Sequence, residues 1–180
     1  MALSFHTTCN GHFIIDSHGI RSLKPVAFKT PSFEDHILKL DRGPTPKKPF
    51  SMTWTDLKIS NPRLSRLYFS GTVHCTVLIP LTEDCDLNCS GKSHLTIVGD
   101  HPRTNLIIEN TGKSTVTGSG SLDKVRIRLS DHASVSGFHV LRVVRATLTD
   151  TATVSLTVSK SCDVSKDVSG RGSIRCTSPN

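Results

Sequence analysis

The chain has 180 residues, with 22 Lys plus Arg against 15 Asp plus Glu and a formal net charge of +7. No stretch approaches the roughly 20 apolar residues a membrane helix requires, which excludes a membrane bundle. The length fits one domain with a core large enough to fold without metals or disulfides.

The N-terminal stretch, MALSFHTTCNGHFIIDSHGI, lacks the basic start and long apolar run of a signal peptide. Its apolar run Phe13-Ile14-Ile15 is too short. The expectation is a chain that stays inside the cell or enters a particle such as a virion, with the six cysteines as reduced thiols. Scattered apolar residues follow, including Phe28, Phe33, Ile37, Leu38 and Leu40. Asp35 to Leu40 reads equally as a short helix or an edge strand. Residues 21–48 hold seven Lys or Arg against three acids. Gly43-Pro-Thr-Pro-Lys-Lys-Pro49 is a stiff basic connector, unfit for a helix interior or a central strand. Residues 1–49 therefore read as an irregular arm or cap, and residues 50–180 as the main domain.

Eight of the nine aromatic residues lie at or before Phe69, leaving only Phe138 beyond it. The second half is instead rich in Val, Ile, Ser and Thr, with short apolar runs and small-residue turns. That composition predicts short β-strands. Four segments repeat: Ser114-Thr-Val-Thr-Gly118, Ala133-Ser-Val-Ser-Gly137, Ala152-Thr-Val-Ser-Leu156 and Gly172-Ser-Ile-Arg-Cys176. Their centres, Val116, Val135, Val154 and Ile174, are 19, 19 and 20 residues apart. Counting back by the same step predicts Ile97 and Leu78 in the same column. Leu106, Val125, Val144 and Val164 make a second column. Asn110, Leu129, Leu148 and Val168 make a third, and Leu122 falls opposite Leu141. Asp131 and Asp150 fall opposite Gly112 and Gly170.

A period of about 19–20 residues predicts an all-β chain wound as a parallel β-solenoid. One coil cannot bury its inward face alone, so stacked coils share a core. The alternation Val125-Arg126-Ile127-Arg128-Leu129 fits one such strand, apolar side inward. An antiparallel sandwich with evenly spaced strands is the alternative.

The stretch Leu67-Tyr-Phe-Ser-Gly-Thr-Val-His-Cys-Thr-Val-Leu-Ile79, then Leu95-Thr-Ile-Val-Gly-Asp100 and the repeats, resembles the adhesin-head GIN-domain family over about residues 66–180. The resemblance implies a right-handed β-solenoid and carries no catalytic signature.

Candidate chemistry is sparse. Cys85 and Cys89, with His94, His74 and Cys75, have the ligand types of a zinc site but lack paired C-x-x-C knuckles. Core and loop positions are the simpler reading, and neither metal nor cofactor is expected. Asp131 and Asp150 suggest paired carboxylates or a cation site, yet corner aspartates commonly accept backbone hydrogen bonds. Glu109 with Arg128, and Asp123 with Arg142, read as surface ladder pairs. There is no phosphate loop and no nucleophile elbow.

These features predict a non-enzymatic structural or interaction protein, a stiff solenoid that docks on other subunits, copies of itself included. Partner contacts are expected at Phe28, Phe33, Lys47, Lys48, Arg126 and Arg145. The alternatives are a surface adhesin or glycan-binding module, a polysaccharide-acting β-helix enzyme, and non-specific nucleic-acid binding through the basic arm.

Overall fold

The computed structural model describes residues 1–44 and 47–179. The chain begins inside the solenoid. Strands β1 (Ala2–Thr7) and β2 (Gly11–Ile15) form the first coil. The chain then leaves to build a cap from β3 (Gly19–Ser22), β4 (Ser32–Glu34), β5 (Ile37–Leu40) and β6 (Ser51–Thr53). It re-enters with β7 (Arg63–Phe69) and β8 (Val73–Val77). Further pairs follow in alternation: β9 (Leu81–Cys89) with β10 (His94–Val98), β11 (His101–Asn110) with β12 (Thr115–Ser119), β13 (Ser121–Leu129) with the start of β14 (Ser134–Leu148), and the end of β14 with β15 (Thr153–Val158). The last coil is β16 (Asp163–Val168) and β17 (Ser173–Thr177). Among the described residues no helix forms, and the coils make about six turns.

Two parallel ladders result. The first face stacks β1, β7, β9, β11, β13, the end of β14 and β16. The second stacks β2, β8, β10, β12, the start of β14, β15 and β17. The expected β-solenoid is therefore the observed fold. Val116, Val135, Val154 and Ile174 are direct partners in one column. The Leu106 and Asn110 columns also keep the expected register.

Upstream the period drifts. Val116 pairs with Leu95 rather than with the expected Ile97, and that column continues to Cys75 and Phe13. Ile97 pairs with Val77 and Gly118 instead, and Leu78 is 48% exposed. Leu122 pairs with Val140, not Leu141, because a bulge shifts register between Leu122 and Lys124. A fixed repeat step cannot see such insertions, since they sit at corners and bulges and leave the rest of each strand intact.

One corner repeats with the same backbone. Gly71, Gly91, Gly112, Asp131, Asp150 and Gly170 all have positive φ. Aspartate tolerates this left-handed region better than most side chains do. Each aspartate also reaches back one coil. Asp131 Oδ2 accepts the Gly112 N–H at 2.9 Å, and Asp150 Oδ2 accepts the Asp131 N–H at 3.2 Å. Both carboxylates thus stabilise the turn below.

Aromatic residues close the N-terminal end. Phe69, Phe5, Phe13, Phe50 and Phe28 run from the second coil into the cap, with successive ring centroids 5.4–6.5 Å apart. Wide side chains fill a cross-section that a single strand edge would leave open. The cap strand β5 lies parallel to β1, and β3 lies antiparallel to β2. The β4–β5 hairpin turns at Asp35 and His36, both with positive φ as a type I′ turn requires. Asp35 to Leu40 therefore contains a strand that pairs on both sides.

Residues 1–49 thus supply the first coil and most of the cap. The boundary expected at residue 49 separates nothing, because one buried cluster contains Phe5, Phe28, Phe50 and Leu67 alike. Lys48 of the connector bridges to Val26, and Arg42, just before the connector, bridges to Phe28. Thr45 and Pro46, part of the expected connector, lie outside the described residues.

Gly118 is packed without room for a methyl group. A Cβ there would meet Phe138 ring carbons at 2.0–2.3 Å. Gly118→Ala is expected to cost about 1–3 kcal/mol through overpacking. Urea denaturation checks this, and an unchanged midpoint would contradict the packing.

Candidate interaction surfaces

Inward side chains make the core, so only the outward columns, the corners and the two ends can meet a partner. On the first face, Arg66, Asp86, Ile107, Arg126, Arg145 and Ser165 form one outward column. Tyr68, Asn88, Glu109, Arg128 and Thr147 form the next. Opposite charges meet one coil apart: Arg66 with Asp86 at 3.4 Å, Arg128 with Glu109 at 3.0 Å and Arg145 with Asp163 at 2.6 Å. Exposed pairs of this kind contribute about 0.2–1 kcal/mol each. Asp123 is buried and is held by both the Nε and an Nη of Arg142. That pairing keeps its carboxyl below the usual range.

The expected contact residues do not form one site. Phe28 is only 7% exposed, with its ring against Phe50 and the Lys48 Nζ 5.0 Å from its centroid. Phe33 packs against the same core. Phe28 is therefore internal to the cap, while Phe33 is half-covered by it. Lys47 is exposed at the cap. Arg126 and Arg145 are exposed cross-coil partners on the first face.

The cysteine and histidine residues that suggested zinc separate. Cys75, Cys85 and Cys89 are buried strand residues pointing into the core. Cys85 and Cys89 thus lie in β9, where a loop was expected. Burial pushes the Cys75 thiol far up, and the Cys85 and Cys89 thiols to about 12. His74 and His94 project outward from the second face. All six cysteines are free in the structure.

On that second face His12, His74 and His94 occupy one register position on three successive coils. The column continues as Thr115, Ser134, Thr153 and Ser173. Sequence reasoning missed His12 as a member, because the whole cap lies between it and His74 in the chain. Only the pairing of β2 with β8 brings the two together.

The ends differ most. At the N-terminal end, Leu3, Phe5, Ile15 and Ile20 are fully buried. At the other end, β16 and β17 contain no fully buried residue. Val168 is 42% exposed, although its column partner Leu148 is fully buried. Val164, Ile174 and Cys176 are partly covered, by core on one side only.

A scan against protein-family models gives no match, and searches of the curated proteins and of the solved structures give none either.

Three histidines share a depressed pKa. Desolvation lowers His6 first, aided by Arg66 and Lys39. It lowers His12 first, aided by His74 and Lys24, and it lowers His101 against the pull of Asp100. His101 stands in a core column with Leu122, where its Nδ1 accepts the Leu81 N–H at 3.4 Å. In the folded state each imidazole binds its proton less tightly than in the unfolded chain, so stability rises with pH. The contribution is complete above the unfolded value near 6.5 and declines as pH falls below it. Urea midpoints are expected to be lower at about pH 5 than at about pH 7.5. A flat profile across that window would contradict the assignment.

Proposed function

We propose that the protein is a non-catalytic docking element, a stiff solenoid that joins other protein subunits through its C-terminal edge. The row of exposed Val168 and half-covered Val164 and Ile174 carries this reading, set against the closed N-terminal end. Strands β16 and β17 present backbone donors and acceptors at the ladder step of about 4.8 Å, a template for one more β-edge. A partner that supplies such an edge would bury the half-covered core and complete the backbone hydrogen bonds. Because the partner adds a coil, a second copy or another β-rich subunit serves equally well. The resemblance to GIN-domain heads, whose signature is repeat architecture rather than catalysis, supports the same reading.

Light scattering on the full chain tests it. The parent is expected to self-associate with rising concentration or to bind a β-rich partner, and Ile174→Lys is expected to abolish this. Arg126→Ser, remote from the edge, is expected to leave association unchanged. Association that survives Ile174→Lys would overturn the edge as the docking surface.

A glycan-binding role is the second reading. It is favoured by Tyr68, 42% exposed in a groove of about 320 Å³ beside Arg66, Asp86, Asn88 and Glu109. An aromatic ring among amide and charged groups suits a sugar face. Loss of glycan-array binding in Tyr68→Ala would support this role, and an array without binding to the parent would remove it.

A further inference from the structure

The corner where β8 gives way to β9 holds a cleft that the docking edge does not use. It lies by the cap, at the other end of the solenoid from β16 and β17, so binding there is independent of docking at the edge. Its volume is about 670 Å³, inside the roughly 300–1,000 Å³ range of small-molecule sites. Three stretches far apart in the chain meet there: the turn after β2, the residues between β6 and β7, and the β8–β9 turn. Hydrogen bonds hold each wall. The Trp54 N–H donates to the His18 carbonyl at 3.1 Å, and its indole Nε1–H to the Asp16 carbonyl at 2.7 Å. The Leu78 N–H donates to the Ile15 carbonyl at 2.8 Å, and the Pro80 carbonyl accepts the Leu64 N–H at 2.9 Å. Walls fixed in this way lose little conformational freedom when a ligand enters.

The lining is chemically one-sided. Trp54, Ile59 and Ile79 are buried and form an apolar floor. Leu78, 48% exposed, and Pro80 form a wall. Val98 extends that wall along the axis: it lies one residue past the Val77–Ile97 pair, as Leu78 does, and it too is exposed. Exposed apolar side chains gathered beside a concavity mark a binding surface, whereas scattered single ones do not. Among the described residues the lining has one charged side chain, Arg63, and no carboxylate. Elsewhere on the solenoid Arg66, Arg128, Arg142 and Arg145 each meet a carboxylate of the adjacent coil, but Arg63 meets none among the described residues.

The geometry points to a binding site for a small apolar acid, its hydrocarbon body against Trp54, Ile59, Leu78 and Ile79 and its carboxylate on the Arg63 guanidinium. Burial of a hydrocarbon chain against this floor supplies the driving force, and it also covers the exposed face of Leu78. A guanidinium matches a carboxylate with two parallel N–H donors, which fixes the end at which the head group sits. Ser17, Thr55 and Asn61 stand exposed at the rim, so the head group keeps polar neighbours and water while the chain is covered. A cationic amphiphile of the same length meets repulsion from Arg63, and a neutral one leaves the guanidinium without a partner.

Trp54 is the chain's one tryptophan, so its fluorescence reports from inside the cleft. The test titrates the full chain at neutral pH with decanoate, using decylammonium as the matched cation and acetate as the head group alone. Decanoate is expected to change Trp54 emission saturably, decylammonium to bind about tenfold more weakly or worse, and acetate to leave the emission unchanged. Arg63→Gln is expected to weaken decanoate binding about tenfold. Leu78→Ser, a second variant at an exposed position, is expected to weaken decanoate and decylammonium alike, because it removes apolar contact and no charge. Lys113→Gln, exposed at the corner between β11 and β12, serves as the control and is expected to bind as the parent does. Circular dichroism keeps a folding defect apart from a lost contact. Absence of a saturable change with decanoate up to about 1 mM would overturn the site. So would decylammonium binding as tightly as decanoate, or decanoate affinity unchanged in both Arg63→Gln and Leu78→Ser.

Discussion

Val135→Asp is expected to unfold the solenoid beyond β12. Val135 is 1% exposed, between Val116 and Val154 in a column without any charged residue. A carboxylate there has no cationic partner and no route to water. Breaking into a buried apolar column with an unpaired charge costs about 3–5 kcal/mol or more, a large share of a domain's total stability. The coils share one core, so loss at this level frees the coils that stack above it. Circular dichroism and limited proteolysis would read this as lost β signal with new cleavage beyond β12. A folded variant with the parental melting point would contradict an inward-facing Val135.

Deleting residues 1–49 has an effect of the same order. It removes Leu3, Phe5, Phe13, Ile15, Ile20, Phe28, Leu38 and Leu40 from the core, all at most 7% exposed. At roughly 1.5–3 kcal/mol for each buried side chain, the loss is as large as or larger than the about 5–15 kcal/mol that holds a domain folded. It also bares the edges of β7 and β8, each a template for aggregation. The truncated chain is therefore expected to aggregate or to lose its cooperative melt. A truncated chain that stays monomeric and melts like the parent would show that these residues are an arm after all.

Repeat columns made the solenoid readable from the sequence. Three apolar columns in one register are possible only when each coil returns the same residue to the same side, and Val116, Val125 and Leu129 do so through β14. The first coil was hidden because the cap interrupts it. Phe5 and Leu67 are direct partners in adjacent coils, yet every cap strand lies between them in the chain. Aromatics in that segment read as anchors for a neighbour, whereas they fill the end of the chain's own core. The same interruption concealed His12 from His74. Cys85 and Cys89 read as loop residues because Glu83, Asp84, Asp86 and Asn88 surround them with polar groups. Period-2 alternation in fact turns those polar residues outward and the sulfurs inward. Which residues of β16 and β17 stand uncovered depends on packing, which a repeat step does not show.

Amide hydrogen exchange measured across a range of protein concentrations tests the docking edge most directly. Exchange reports the protection of individual backbone N–H groups, and at the C-terminal end β16 and β17 have outer groups without a ladder partner among the described residues. Protection of Asp163–Val168 and Ser173–Thr177 is expected to rise with concentration, or on addition of the β-rich partner, while β11 and β13 stay fully protected throughout. Fast exchange in β16 and β17 under every condition, with new protection appearing on a lateral face instead, would contradict the C-terminal edge as the place where this solenoid meets its partner.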